Sequence, residues 1–232
     1  MQKTFRKIIK GIFFKLGLNN LRLPPRIEAI DYSIHITGQI LSKFKHYIPH
    51  NSSAIDFESL SIILNDICIN NRKSIIEFGS GFSTIAIAKL IQLNNLKCDF
   101  ISVEHDEGWL KHTKELLFKE GLENDVNMQY MPLENDWYNL DFIKEINVNS
   151  TLFDSLIIDG PPANTYGHEY SRKPVMLKLN DYLANNCFIL MHDTDRLAEN
   201  QIVKNWEKIY HIRFNQIGKS SYCIKGLGYN VF

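Results

Sequence analysis

The sequence predicts an α/β fold: seven strands in a mostly parallel sheet, helices on both faces, and a C-terminal antiparallel hairpin. Three observations predict it. From residue 74 onward, short apolar runs alternate with helical patterns, as parallel strands joined by crossover helices require. A turn with two glycines one residue apart, Gly79 and Gly81, lies between the first run and the first of those helices. The last two runs are linked only through Ile217–Lys219 and a residue or so of each end, whereas a parallel crossover needs about a dozen or more residues.

The elements follow in order. Phe5, Ile8, Ile9, Ile12, Phe13 and Leu16 recur at helical spacing, with Lys3, Arg6, Lys7 and Lys10 largely opposite, so a basic amphipathic helix is expected. Leu23-Pro24-Pro25 ends it. Two roles are open for it: residues 1–20 lying on an anionic membrane surface, or docking on the chain's own domain or a second subunit. Residues 27–48 and 54–70 read as helices, the second with Ser52 or Ser53 placed to cap it. Strands are expected at Ser74–Phe78, Asp99–Glu104, Val126–Met131, Ser155–Asp159, Cys187–Met191, His211–Gln216 and Ser221–Lys225. Helices are expected at Thr84–Leu93, Glu107–Glu120, Glu169–Leu183 and Glu199–Ile209. The domain plan is an extension over 1–26, a helical lead-in over 27–73 and a main domain over 74–232.

Composition narrows the function classes. The chain has 232 residues, 44% of them hydrophobic, enough for one well-cored domain. Its formal net charge is zero, so no basic surface for nucleic acid follows. That zero hides an asymmetry: seven basic and no acidic residues up to Arg26, leaving 19 basic against 26 acidic beyond it. The four cysteines, Cys68, Cys98, Cys187 and Cys223, show no metal-ligand spacing and are expected as reduced thiols in a cytoplasmic protein. The longest uncharged run in the leader, Gly11–Phe14, is far short of the roughly 20 residues that span a bilayer.

The turn Glu77-Phe-Gly79-Ser80-Gly81-Phe-Ser83-Thr84 puts a ligand against the backbone at the carboxyl end of the first strand. Dinucleotide folds place a third glycine where Thr84 stands, and Glu77 would repel a pyrophosphate but suit a cation. Glu104 ends the second strand, 23 residues after Gly81, where an acid can accept both hydroxyls of a ribose. Asp159 ends the fourth strand, and His192 and Asp193 end the fifth, so the three converge on one rim.

Over residues 60–232, EFGSGFST, SVEHDEGWL, LIIDGPPA and ILMHDTDR resemble, in order, the class I methyltransferases that use S-adenosylmethionine. They are most similar to a bacterial group that shares these motifs, including a late Arg196-Leu-Ala-Glu199 followed by a helix with Trp206. The resemblance implies a Rossmann-like fold and S-adenosylmethionine as cofactor. It assigns Glu77, Gly79 and Gly81, with their turn neighbours Ser80, Ser83 and Thr84, to the amino-acid end of that cofactor, beside Asp159. It also places Glu104 on the ribose hydroxyls and His105 near the adenine. The adenine contact after the third strand is not identified, since Tyr130–Tyr138 fits no motif.

Two readings of the rim stay open. In one, Asp159 or His192 is a general base for an acceptor hydroxyl, and Asp193 orients it. In the other, Asp159 and Asp193 hold a divalent metal such as magnesium, as in catechol-type methyltransferases. Gly160 interrupts the Asp-Pro-Pro-aromatic pattern of enzymes that methylate nucleic-acid amines, and Ala163 stands where an aromatic would stack a flipped base. Trp137 and Tyr138 are candidates to stack on a sugar face. Tyr166, His168 and Arg172 are candidates to contact a substrate, Arg172 by forking onto a carboxylate or phosphate. The expectation is a cytoplasmic O-methyltransferase acting on a sugar or glycan precursor, with residues 1–20 as a peripheral membrane contact and a homo-oligomer as a further option. The rivals are a nicotinamide-dependent oxidoreductase and a non-catalytic cofactor-binding protein.

Overall fold

The computed structural model describes residues 25–139, 143 and 152–231; the segment expected to form an amphipathic leader helix lies outside the described residues. The chain divides into two compact units, residues 1–32 and 33–232. In chain order, α1 spans Pro25–Leu41, α2 Phe57–Ile69, β1 Ser74–Phe78, α3 Phe82–Asn94, β2 Asp99–Glu104 and α4 Glu107–Glu120. There follow β3 Asn127–Tyr130, β4 Leu133–Glu134, β5 Trp137–Tyr138, β6 Phe153–Ile158 and α5 Pro174–Leu179. A 3₁₀ turn at Asn180–Tyr182 leads into β7 Leu183–Met191, α6 Leu197–Tyr210, β8 Asn215–Ile217 and β9 Ser220–Ile224.

The main sheet has seven strands in the order β3-β2-β1-β6-β7-β9-β8. Within it β3, β2, β1, β6 and β7 pair in parallel, and β9 joins β7 antiparallel and carries β8 as a hairpin; β4 and β5 form a separate antiparallel pair. This is the predicted Rossmann-like architecture. Alternation along each strand feeds a core on either face. Ile75, Ile157, Phe188 and Leu190 pack with α2 and α3 on one side. Ile76, Phe78, Leu156, Ile158, Ile189 and Met191 pack with α5 and α6 on the other.

Several boundaries differ from expectation: α1 ends at Leu41, not at residue 48, and β7 begins at Leu183, not at Cys187. Three of the differences have a clear local reason. The helix expected over Glu169–Leu183 begins only at Pro174, because proline lacks the N–H that a helix interior uses and fits at the first position. The strand expected at His211–Gln216 shrinks to Asn215–Ile217. His211 is left-handed, φ 53°, and closes α6, and Glu207 then captures the Phe214 N–H at 2.8 Å. Helix α2 is capped by Asp56, not Ser52 or Ser53: its carboxylate accepts from Ser59 N at 3.0 Å.

The chain between α1 and α2 is fixed by one buried acid. Glu120, at the end of α4, accepts from Lys45 N at 3.0 Å and His46 N at 2.8 Å, and Lys89 Nζ of α3 lies 3.3 Å away. Burial opposes ionisation there, but these donors outweigh it and bring the pKa down from 4.5 to about 2. A carboxylate with a depressed folded pKa stabilises above its unfolded value, and the contribution fades as pH falls towards the folded one. Glu120→Gln is therefore expected to melt well below wild type near neutral pH, and the gap should close as pH falls from 4.5 towards 2. Thermal melts across that range check it.

Candidate active site

The site is built on the turn between β1 and α3. Gly79 has φ +91° and Gly81 +156°, both in the region that favours glycine. A Cβ on Gly79 would meet the backbone N of Gly160 at 2.8 Å, so the β1 and β6 exits touch only because no side chain intervenes. Beneath the turn, the Glu77 carboxylate is fully buried. It accepts from Ser83 Oγ and Thr84 Oγ1 at 2.6 Å each and from Ser102 Oγ at 2.8 Å. Thr84 Oγ1 in turn accepts from Gly81 N at 2.9 Å, so the residue in the third-glycine position ties the turn down. Burial pushes the Glu77 pKa up from 4.5 to about 7 despite the three hydroxyls.

Glu104 closes β2 on the other side of the turn. One of its oxygens accepts from Ser80 N and Ser80 Oγ at 3.0 and 2.9 Å, the other from His105 N and Asp106 N at 2.7 and 2.9 Å. His105 Nδ1 lies 2.8 Å from the same carboxylate. Burial would raise the pKa of Glu104, but the His105 ring and the Asp106 and Ser80 donors win, and the net shift is downward. Trp109, in the first turn of α4, donates from Nε1 to Ser80 O at 2.7 Å and lies beside Gly81.

Across the turn, Asp159 follows β6, and its carboxylate makes no hydrogen bond or ion pair among the described residues. Burial pushes its pKa well above the ordinary carboxylate range; Arg172 opposes this and Asp193 adds to it. Arg172 is nearly buried and bonded to protein. It donates to Pro161 O at 2.9 Å, Asp159 O at 2.8 Å and His192 O at 3.1 Å, and pairs with Asp193 at 3.2 Å. Asp193 sits in the left-handed region, φ 64°, and is also held by Arg196 Nη2 at 2.9 Å. The His192 ring is buried, bonded to Ser220 Oγ at 3.0 Å. Burial lowers its pKa against the pull of Asp193 and Asp56.

These groups surround a cavity of about 480 Å³ beyond the carboxyl ends of β1, β2 and β6. Gly79, Ser80, Gly81, Ser83, Glu104, His105, Asp159, Tyr138, Arg172 and Asp193, all candidates from the sequence, line it. Glu77, Thr84 and His192 stand behind the wall. Trp137 faces a different cavity, Tyr166 is almost wholly exposed, and His168 pairs with Asp136 at 2.8 Å outside the site. Sequence reasoning did not assign Trp109, Arg196, Asp106 or the Asn51–Ile55 loop to the site. Trp109 and Arg196 were visible only as parts of the VEHD and late Arg-x-x-Glu motifs. The loop at Asn51–Ile55 carried no motif at all. It is fixed by the His50 ring, which lies 4.8 Å from Phe57 and 4.7 Å from Phe82, and by Asn51 accepting from Ser53 N and Ala54 N.

Residues 76–194 match the model of a family described as a methyltransferase domain. Solved structures share the fold. The O-methyltransferase TomG from Streptomyces achromogenes, involved in tomaymycin synthesis and in complex with SAM, has a TM-score of 0.56 at 11% identity, over 93% of this chain and 96% of that one. The SAH-bound methyltransferase PaMTH1 from Podospora anserina gives 0.58 at 14%, over 90% and 100%. The O-methyltransferase from Bacillus cereus in complex with SAH gives 0.54 at 12%, over 90% and 96%. No curated protein matches the chain.

Glu77 makes the site's anchor pH-dependent. Its folded pKa lies above its unfolded value, so the protein binds a proton more readily than the unfolded chain, and stability falls as pH rises from 4.5 to about 7. The full swing is about 3 kcal/mol. Glu77→Gln should flatten that decline, read as melting temperature against pH; an unchanged slope would show that Glu77 is not the titrating group.

Proposed function

The chain belongs to the methyltransferase-domain family, and on that premise we propose that it transfers a methyl group from S-adenosylmethionine to a hydroxyl of a sugar or glycan precursor. The observation that carries the reading is Asp159: a cavity-lining carboxylate beside the glycine turn with no partner of its own among the described residues. The cavity suits the cofactor. Four carboxylates, from Glu104, Asp106, Asp159 and Asp193, face it against the guanidiniums of Arg172 and Arg196. That balance favours a sulfonium and an ammonium over a pyrophosphate, which speaks against a nicotinamide cofactor. A volume near 480 Å³ is that of a small-molecule site.

Gly79, Ser80, Gly81 and Ser83 would hold the amino-acid end of the cofactor, with Glu77 and Thr84 fixing the turn from behind. Glu104 would take the ribose hydroxyls, since the Ser80 hydroxyl that it now accepts can rotate away. His105 would lie near the adenine. When bound, the cofactor supplies an electrophilic methyl carbon. Asp159 then takes the proton from the acceptor hydroxyl onto a carboxylate oxygen, and burial makes that oxygen a stronger base than an ordinary aspartate. Arg172 positions this base by bonding the carbonyls of Asp159 and Pro161, and Asp193 holds Arg172 in turn. The His192 ring, behind the wall, supports the rim from Ser220. Asn51, Ser53, Asn164 and the half-exposed Trp109 offer the amide, hydroxyl and aromatic surface that a polyhydroxylated ring would meet.

A metal-dependent variant has one observation in its favour: ligand atoms of Asp159, His192 and Asp193 lie within 4.8 Å of one another. Against it, two guanidiniums already neutralise Asp193, and a divalent ion there would have to displace one. No described helix is long and apolar enough to cross a membrane. We infer a cytoplasmic enzyme, with residues 1–20 open to two roles, a peripheral membrane contact or docking on the chain's own domain or a second subunit, which liposome binding and hydrodynamic measurement distinguish.

S-adenosylhomocysteine at about 100-fold its dissociation constant should raise the melting temperature by roughly 5–10 °C, while NADH should leave it unchanged. A shift with NADH alone would overturn the cofactor reading. Once an acceptor is found among sugars, Asp159→Asn should lower kcat by about 10²–10⁴-fold with little change in homocysteine-product binding. In wild type, activity should rise with pH through an acid limb above the ordinary carboxylate range. Turnover abolished by chelation and restored by magnesium would instead favour the metal reading.

A further inference from the structure

Tyr138, the last residue of β5, is held by aromatic packing. Its ring centroid lies 5.2 Å from Phe78, 5.2 Å from Trp137 and 6.2 Å, edge-on, from His105. The hydroxyl is thus set in place by its ring and not by a polar partner. It lines the cavity, is fully buried, and has no hydrogen-bond partner among the described residues. A side chain on Gly160 would strike the phenol oxygen on one side and the Gly79 backbone on the other, so that oxygen stands where the glycine turn meets the loop after Asp159. Native proteins seldom leave a buried donor unpaired, because the lost water is not replaced.

We propose that Tyr138 Oη donates a hydrogen bond to an oxygen on the ribose or amino-acid part of the bound cofactor, and that the phenol is satisfied only in that complex. This differs from a stacking platform for the acceptor's sugar face, and it rests on the cofactor reading above. The position supports it, since Glu104 and Asp159 line the same cavity as the phenol. Burial, with Glu104 beside it, pushes the phenol's pKa well above its usual value, so the group remains a donor at any working pH.

Tyr138→Phe removes the oxygen and keeps the ring. Two effects of opposite sign are expected: the ligand-free melting temperature should hold or rise, and affinity for S-adenosylhomocysteine by calorimetric titration should fall about 3- to 10-fold. Thr113→Val is the control, because Thr113 Oγ1 is also buried and unpartnered among the described residues but lies away from the cavity. It should leave the affinity unchanged. Equal affinity in wild type and Tyr138→Phe overturns the proposal and gives the hydroxyl to the acceptor or to water. A lower ligand-free melting temperature in Tyr138→Phe also overturns it, since the hydroxyl would then have a partner inside the protein. If wild type itself does not bind S-adenosylhomocysteine, the cofactor reading falls, and this inference with it.

Discussion

The site depends on one buried carboxylate and the three hydroxyls that face it. Glu77 sits under the glycine turn where no water reaches, and Ser83, Thr84 and Ser102 replace the hydration it lost. Two of those hydroxyls come from the first turn of α3 and one from β2, so a single acid fastens three elements. A residue that the sequence offers to a charged ligand thus lies one layer below the cavity wall, where it shapes the loop that lines the cavity.

Arg172 does for the far wall what Glu77 does for the near one. Its planar fork reaches the carbonyls that end β6 and β7 and the carboxylate of Asp193 at once, a geometry lysine could not reproduce. The left-handed backbone at Asp193 is held on both sides by guanidiniums. Arg172, which sequence reasoning offers to a substrate, and Asp193, which it offers to the base or to a metal, are thus largely spent on each other. What they leave accessible is Asp159, whose basicity follows from its burial and from acidic neighbours.

Legibility in the sequence followed the range of the forces involved. Strands β1 and β2 and helix α4 appear at their expected bounds, because apolar alternation, the glycine turn and the Asp106 cap are local and mutually consistent. The closing hairpin was legible from chain length alone. The hairpin of β4 and β5 was not foreseen: its strands are two residues each, too short for any period to show. Yet Asn135 and Asp136, at φ 50° and 66°, are the residues that a type I′ turn asks for. Within the site, the glycine turn, Glu104 and Asp159 could be read because strand ends converge by topology. That Arg172 turns inward while Tyr166 and His168 turn away could not, since a side chain's direction is settled by packing partners distant in sequence.

The wall made by Asn51–Ile55 lies before the segment that defines the family, and Arg196 lies just after it. The glycine turn and Asp159 lie inside that segment. Inheritance can therefore keep the reaction fixed while these flanking pieces drift, in the manner of a tool with an exchangeable jaw. Two chains that align well over the shared block can still differ in what they methylate, and the divergence should be sought in the lead-in to α2.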